Sequence, residues 1–231
     1  MAAGAWKDWA EGELVTEALF QDIQDSVAFI YSSESAANTA LTNKVEGTQF
    51  YDTTDDVLKI WDGSAWVAVG GGITEADQWR ITANATMGGM AVLTANWERN
   101  DSTGNGVPFG TGLSESSGAY TFPETGVYLI HITGTSQSAG QFLNRYALNV
   151  TTDNFSSSSD VCWAYANGGW QSGATQLPQT ASNFYIFDVT NTTTHKFKIK
   201  AGVLTSDTTV YLLGSTTIQH TGFTVWRIGD T

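Results

Sequence analysis

Apolar side chains recur along this chain with two different periods, and the change of period divides it. Phe20, Ile23, Val27 and Ile30 follow one another at three- and four-residue steps, which sets them on one stripe of a helix and predicts a helix from Thr16 to Tyr31. Thr16 serves as its N-cap and Glu17 suits the positive end of its dipole. The stripe spans only about two heptads, too few for a free-standing coiled coil in water. It is read as a docking surface, for a neighbouring chain or a foreign surface, with packing on the chain's own hairpins as the other way to cover it. A second short helix, rich in alanine, is expected over Ser33 to Leu41.

From Gly47 the pattern shortens. Apolar runs at Gln49–Tyr51, Val57–Trp61 and Ala65–Val69 are separated by the polar turn Asp52–Asp56 and the Asp62-Gly63 turn, a hairpin cassette that ends in Gly70-Gly71-Gly72. Trp6, Trp9, Trp61 and Trp66 add large aromatic area to a region with little core of its own, which predicts a buried interface there. The triglycine is read as a flexible boundary.

Beyond Ala76 the period becomes two and stays so to the C-terminus. The clearest case is Lys196–Ala201, where Phe197, Ile199 and Ala201 alternate with Lys196, Lys198 and Lys200, an apolar face against a solvated lysine face. Further strands are expected at Arg80–Ala85, Met90–Trp97, Gly118–Phe122, Val127–Thr133, Asn144–Thr151, Val161–Ala166, Asn183–Val189, Val210–Gly214 and Gly222–Ile228. Short strands at this density without an intervening helix predict a sandwich or jelly roll. Pro108, Pro123 and Pro178 all stand in turn-like contexts, compatible with uninterrupted ladders.

Composition narrows the function classes. An apolar fraction of 41% in 231 residues is ample for a buried core, while charged residues reach only 14%. A net charge of −13 disfavours a nucleic-acid partner, since counterion release needs clustered Lys and Arg. The single Cys162 makes no internal disulfide, so stability has to come from packing or assembly. No window approaches the ~20 apolar residues of a membrane span, and the opening MAAGAWKDWAEGEL lacks the pattern of a secretion signal. The Asn-x-Ser/Thr sequons at Asn84, Asn100, Asn149, Asn154 and Asn191 are read as a product of composition.

Two stretches resemble known families. The cassette GTQFYDTTDDVLKIWDGSAWVAVGGG, with the preceding GELVTEALFQDIQDSVAFIYSSESAANTAL, resembles the adaptor and neck segments of tailed-bacteriophage fibre and spike proteins. The run SESSGAYTFPETGVYLIHITG, through Gly118, Tyr120, Phe122, Gly126 and Tyr128, resembles the C1q and tumour-necrosis-factor-like jelly rolls, and the closing TGFTVWRIGD is similar to the last strand of that fold. The resemblance implies a mainly β chain in three parts: a helical anchor over residues 1–46, a β-hairpin neck with its glycine linker over 47–72, and a jelly-roll domain over 76–231. It also implies a homotrimer, for which Tyr120, Phe122, Tyr185, Phe187 and Tyr211 are the candidate contacts, with an ordinary place in the sandwich core as the other reading of each. Trp6, Trp9, Phe20, Ile23, Val27 and Ile30 are the candidate anchor residues toward other virion proteins.

Chemistry is sparse. The sequence holds no GxSxG, GxxxxGK[ST], CxxC or HExxH pattern, and neither a catalytic site, a metal nor a cofactor is expected. His131, His195 and His220 lie far apart in sequence. Asp52, Asp55 and Asp56 lack the oxygen spacing and closing glutamate of a calcium loop. Glu98, Asp101, Glu115 and Glu124 are the carboxylates a glycosidase would need, without a spacing that pairs them. Trp163, Tyr165 and Trp170, set among Gly, Asn and Gln, suit the stacking-plus-amide surfaces that hold sugars, or else fill the sandwich or the trimer contact. The leading expectation is a trimeric tail fibre or spike of a virion, made in the host cytoplasm, whose head projects and contacts the host surface. A capsid decoration or cement protein and a polysaccharide-degrading tailspike are the alternatives.

Overall fold

The computed structural model describes residues 29–69, 72–101, 107–168, 177–206 and 208–231. The chain forms two compact units, Met1–Gly71 and Gly72–Thr231. Trp6, Trp9, Phe20, Ile23 and Val27 of the expected anchor, and Trp170 of the expected sugar surface, lie outside the described residues.

In the first unit, β1 (Phe29–Tyr31), β2 (Gln49–Asp52), β3 (Val57–Trp61) and β4 (Trp66–Ala68) form one sheet in that order, β1 parallel to β2 and the rest antiparallel. Helix α1 (Glu34–Ala40) fills the connection from β1 to β2. Ser33 caps it by accepting the Ala36 amide at 3.2 Å, and Glu34 sits in its first turn at the positive end of the dipole. Asp62 Oδ1 closes the second hairpin by accepting the amides of Ser64 and Ala65, while Gly63 takes a positive φ of 100°.

Two expectations for this unit are corrected. Ile30 stands on β1, not on a helical stripe, and is 71% exposed. The extended backbone turns Phe29 and Tyr31 to one side, where Tyr31 meets Phe50 at 6.0 Å and Phe29 meets Tyr31 at 6.3 Å. A helix through Tyr31 would lose the β2 ladder and that aromatic row. Trp66 is likewise not an exposed interface ring. It is buried with Ala37 and Phe50, edge-on to Phe50 at 4.6 Å, and its indole N–H donates to Asn38 Oδ1 at 3.0 Å. Trp61 packs half-buried on the same cluster, so this unit has a core of its own.

The second unit begins with β5 (Ala76–Ile81), β6 (Ala85–Thr86), β7 (Ala91–Val92), β8 (Trp97–Arg99), β9 (Ser114–Ser116) and β10 (Ala119–Thr121). It continues through β11 (Gly126–Ser138), β12 (Phe142–Thr151), β13 (Ser159–Gly168), β14 (Leu177–Val189), β15 (Lys196–Ser206), β16 (Val210–Leu212) and β17 (Gly222–Gly229). One sheet runs β14-β11-β17-β5-β8, with β16 and β6 continuing beside β17 on the same edge of β11. The other runs β13-β12-β15-β10-β9, with β7 on β15. The two form a jelly-roll sandwich.

Alternation builds the core between them. From the first sheet Tyr128, Ile130, Ile132, Val225 and Phe223 point inward, and from the second Tyr120, Tyr146, Leu148, Phe197 and Ile199. Tyr120 touches Phe223 at 4.6 Å and stacks on Phe197 at 5.0 Å, so the rings bridge the sheets. Gly118 follows Ser117 in a two-residue hairpin in which both take positive φ, 53° and 78°. A Cβ on Gly134 would collide with the Tyr146 ring.

Several strand edges differ from expectation: β11 runs on to Ser138, β15 to Ser206, and β14 starts at Leu177, so that Pro178, expected in a turn, pairs with Gln137 inside β14. The first strand is Ala76–Ile81, not Arg80–Ala85, because Asp77, Trp79 and Ile81 are the inward set. Asp77 there accepts the Leu113 amide at 2.8 Å and the Trp79 indole at 3.0 Å. The expected strand Met90–Trp97 is cut into β7 and β8 at Asn96, whose φ of 64° leaves the extended region.

Candidate functional site

Two outward faces of the sandwich carry side chains that folding of one chain does not use. The first lies on the sheet β14-β11-β17-β5. In β11, Tyr128, Ile130 and Ile132 turn inward, so Val127, Leu129 and His131 turn out. Register then aligns Ile186, Leu129, Trp226 and Ala76 in one row across four strands, and Phe184, His131, Thr224 and Gln78 in the next. Phe184 is 64% exposed and Ile186 is 54% exposed. Neither row contains a carboxylate, lysine or arginine; Asp188 stands at the margin, opposite Val127.

The second lies on β13-β12-β15. Register places Tyr165 beside Arg145, Ala147 between Trp163 and Lys200, and Asn149 beside Lys198. Lys196, Lys198 and Lys200 occupy alternate positions of β15 and are half-buried, their stems lying along the sheet rather than fully in solvent. Trp163 and Tyr165 are 44% and 49% exposed and meet edge to face at 6.3 Å. The Arg145 guanidinium lies 4.6 Å above the Trp163 ring, and its Nε is buried without a hydrogen-bond partner among the described residues. Lys198 Nζ lies 3.8 Å from the Phe155 ring centre, and Lys196 donates to Asn154 Oδ1 at 2.7 Å. Asp160 is held by Lys200 at 3.0 Å and by Asn149 at 2.8 Å.

Between β13 and β14 the two sheets part. An open groove of about 400 Å³ runs there, lined by Asp160, Cys162, Trp163, Tyr165, Asn183 and Phe184 among others. Asn183 Nδ2 donates to the Trp163 carbonyl at 2.8 Å, fixing one strand edge against the other. Burial pushes the Cys162 thiol above its ordinary pKa, which disfavours the reactive thiolate.

The expected contact rings fare unequally. Tyr120, Phe122 and Phe187 are buried inside a single sandwich and have no surface left to meet a second copy. Phe122 instead packs on Tyr128 at 4.5 Å. Tyr185 and Tyr211 are half-buried. The structure thus separates Tyr120 and Phe122, which are core, from Phe184, Leu129, Ile186 and Trp226, which are not and which are absent from the expected contacts. Their signal was present in the runs Val127–Ile130 and Phe184–Phe187, apolar on both parities, since a strand apolar on both sides expects cover on both.

Of the remaining candidates for chemistry, Glu98, Glu115, Glu124 and His195 are engaged locally. Glu98 accepts from Arg80, Glu115 from the Gly118 amide, and Glu124 pairs with Arg227. His195 lies over Phe187 at 5.8 Å. Among the described residues no group of His, Cys, Asp or Glu is arranged to hold a metal, and no helix is long and apolar enough to cross a membrane.

No family profile and no curated protein matches the sequence. Among solved structures the chain is similar to the Eiger TNF from S. frugiperda, at 8% identity and a TM-score of 0.48, over 69% of this chain and 96% of that one. It is also similar to murine APRIL at pH 5.0, at 10% identity and a TM-score of 0.45, over 67% of this chain and 98% of that one.

Proposed function

We propose that this chain is a fibre- or spike-type structural protein of a bacteriophage virion, and that its jelly-roll unit assembles as a homotrimer through the outer face of β14-β11-β17-β5. The observation that carries the assembly is the uncharged row Ile186, Leu129, Trp226 and Ala76. Every copy brings a net charge of −13, so self-association favours a contact free of carboxylates, and the two central rows of this face are free of them, with Asp188 at the margin. Exposed apolar area of this kind is stabilised by removal from water, at roughly 25 cal/mol per Å². The particle context rests on the resemblance of the N-terminal segment to fibre and spike necks. In this reading residues before Gly72 attach to other virion proteins and the sandwich projects.

Sedimentation equilibrium tests the assembly. The wild-type chain should sediment as a trimer at micromolar concentration. Leu129→Asp and Ile186→Asp should each give a folded single chain, because a carboxylate in that row would be buried against its own copies. A stable lone wild-type subunit overturns the trimer. Electron microscopy of particles labelled with an antibody to the sandwich tests the context, and unlabelled particles overturn it. Deleting residues up to Gly70 should leave a soluble trimeric sandwich that no longer joins particles.

A further inference from the structure

We propose that the outer face of β13-β12-β15 is a binding site for an acidic polysaccharide, with Tyr165 and Trp163 as the platform for sugar rings and Arg145, Lys198 and Lys196 as the groups that receive carboxylates.

The placement of basic residues is the first support. The whole chain has ten lysines and arginines, and four of them, Arg145, Lys196, Lys198 and Lys200, share this one face. Elsewhere in the sandwich the described arginines are spent internally: Arg80 on Glu98, Arg99 on Asp77, Arg227 on Glu124 and Asp230. Here only Lys200 has a carboxylate, Asp160, among the described residues. Arg145 and Lys198 rest instead on aromatic rings, which hold a cation in place without cancelling its charge. A cationic face on a chain of net charge −13 is complementary to an anion that approaches this face and no other.

The aromatic rings are the second support. Trp163 and Tyr165 project beside Arg145 from the adjacent strand, both close to half exposed. Such rings cover the C–H face of a pyranose, while a guanidinium one strand away takes a uronate carboxylate by two parallel hydrogen bonds. With Nε buried against the sheet, the outer guanidinium nitrogens remain for that contact. Lys200, Lys198 and Lys196 continue the line at every second residue of β15, spanning roughly 13 Å at the rise of a strand. That run suits a chain with recurring negative charges. A polyphosphate is disfavoured because three uncompensated cations face the repulsion of the whole acidic surface, and a nucleic acid needs more phosphate contacts than that.

Strands β12 and β15, which carry the cations, lie in the other sheet from the self-association face, while Trp163 and Tyr165 share the β13–β14 groove with Phe184 of that face; binding is therefore measured on the wild type and on Leu129→Asp, and is expected in both. Full-length protein is titrated calorimetrically with oligomers of polygalacturonate and of hyaluronate, with fully methyl-esterified polygalacturonate, and with oligo-thymidylate. Saturable binding of at least one acidic saccharide is expected, weakened at high salt and reduced at least about tenfold by esterification. Arg145→Gln and Trp163→Ala should each reduce it by about tenfold, with Arg145→Lys recovering part of the loss. Thermal melting establishes that each variant is folded. The surface pair Lys196→Gln with Lys198→Gln supplies the same test should Arg145→Gln not fold. Absence of binding to both acidic saccharides overturns the proposal, as does equal binding of the ester. Oligo-thymidylate bound as tightly as the saccharides, with Trp163→Ala unaffected, also overturns it, since the face would then be a plain anion exchanger.

Discussion

The two units solve the same problem by opposite means. In the sandwich about two dozen buried apolar residues form one continuous cluster, and buried polar groups such as Asp77, Arg80 and Asn144 add to a core that is already large. In the first unit the buried apolar set among the described residues is Ala37, Phe50 and Trp66. Beside it stands an electrostatic lock: Lys59, 7% exposed, reaches Glu34 at 2.8 Å, Asp52 at 3.1 Å and Asp55 at 2.7 Å. These partners come from α1, β2 and the β2–β3 turn, so one ammonium ties together elements that three apolar side chains barely join. A small fold with little core needs such a staple. Size of core, rather than kind of element, separates the units.

The sharpest way to break that comparison is to remove one aromatic ring from each unit. Phe50→Ala in the first and Phe197→Ala in the second both delete a fully buried Phe, at a cost of about 3–5 kcal/mol each. For a core as small as the first, that equals about all it supplies, roughly 3–5 kcal/mol. The first unit should therefore unfold at room temperature, while the sandwich persists with a lowered melting temperature. Differential scanning calorimetry resolves the two cases; a first unit that still melts cooperatively after Phe50→Ala would show that its core is larger than Ala37, Phe50 and Trp66.

Acid and alkali should separate the units next. Burial pulls the Lys59 pKa downward, but the carboxylates of Asp55, Glu34 and Asp52 outweigh it and hold it above the ordinary lysine value. Burial would raise Asp52, yet the amides of Thr54 and Asp55 and the Lys59 ammonium bring it below the ordinary aspartate value. A raised lysine contributes stability that is complete below its unfolded pKa, about 10.4, and is lost as pH climbs past it. A lowered aspartate contributes stability that is complete above about 3.9 and is lost as pH falls further. The first unit should therefore hold between about pH 4 and pH 10 and weaken on both sides. In the sandwich Asp153, brought down to about 2 by the Ser157 hydroxyl and amide and the Thr151 hydroxyl, only closes the loop after β12. Its protonation between about pH 4 and pH 2 should loosen that loop without melting the sheets. Circular dichroism melts across pH, read on the isolated transitions, check both halves.

Much of this division was legible in the sequence. The helix expected over Ser33–Leu41 is α1 with its Ser33 cap, and the three runs of the hairpin cassette are β2, β3 and β4. Phe197, Ile199 and Ala201 alternate into the core as written. Periodicity failed where it had too few residues to act on. Ile30 continued a helical spacing by chance, and three residues of β1 were decided by a parallel ladder to a strand twenty positions on, which no local pattern encodes. The resemblance offered Tyr120 and Phe122 as contact rings, but both are buried in the sandwich core, Tyr120 by its parity in β10 and Phe122 just beyond that strand. The faces themselves needed register. Leu129 lies beside Ile186 and Trp226, and Arg145 beside Tyr165, only once β11 and β12 are paired with strands 20 to 100 residues away.

The smallest effect tests whether the first unit has any reserve at all. Ser33 accepts the Ala36 amide and is the N-cap of a seven-residue helix whose buried side chain is Ala37. Its substitution by alanine should cost about 1 kcal/mol, and by glycine only a few tenths. In the sandwich a loss of that size would shift the melting temperature slightly. In the first unit it acts on the element that carries both Ala37, a third of the buried apolar set, and Glu34, one arm of the Lys59 lock. If core and lock are coupled through α1, Ser33→Ala should lower the first transition and also narrow its pH range, whereas Ser33→Gly should leave both close to wild type. Equal effects of the two substitutions would show that the sheet β1-β2-β3-β4 stands without the helix, and that the lock rests on Asp52 and Asp55 alone.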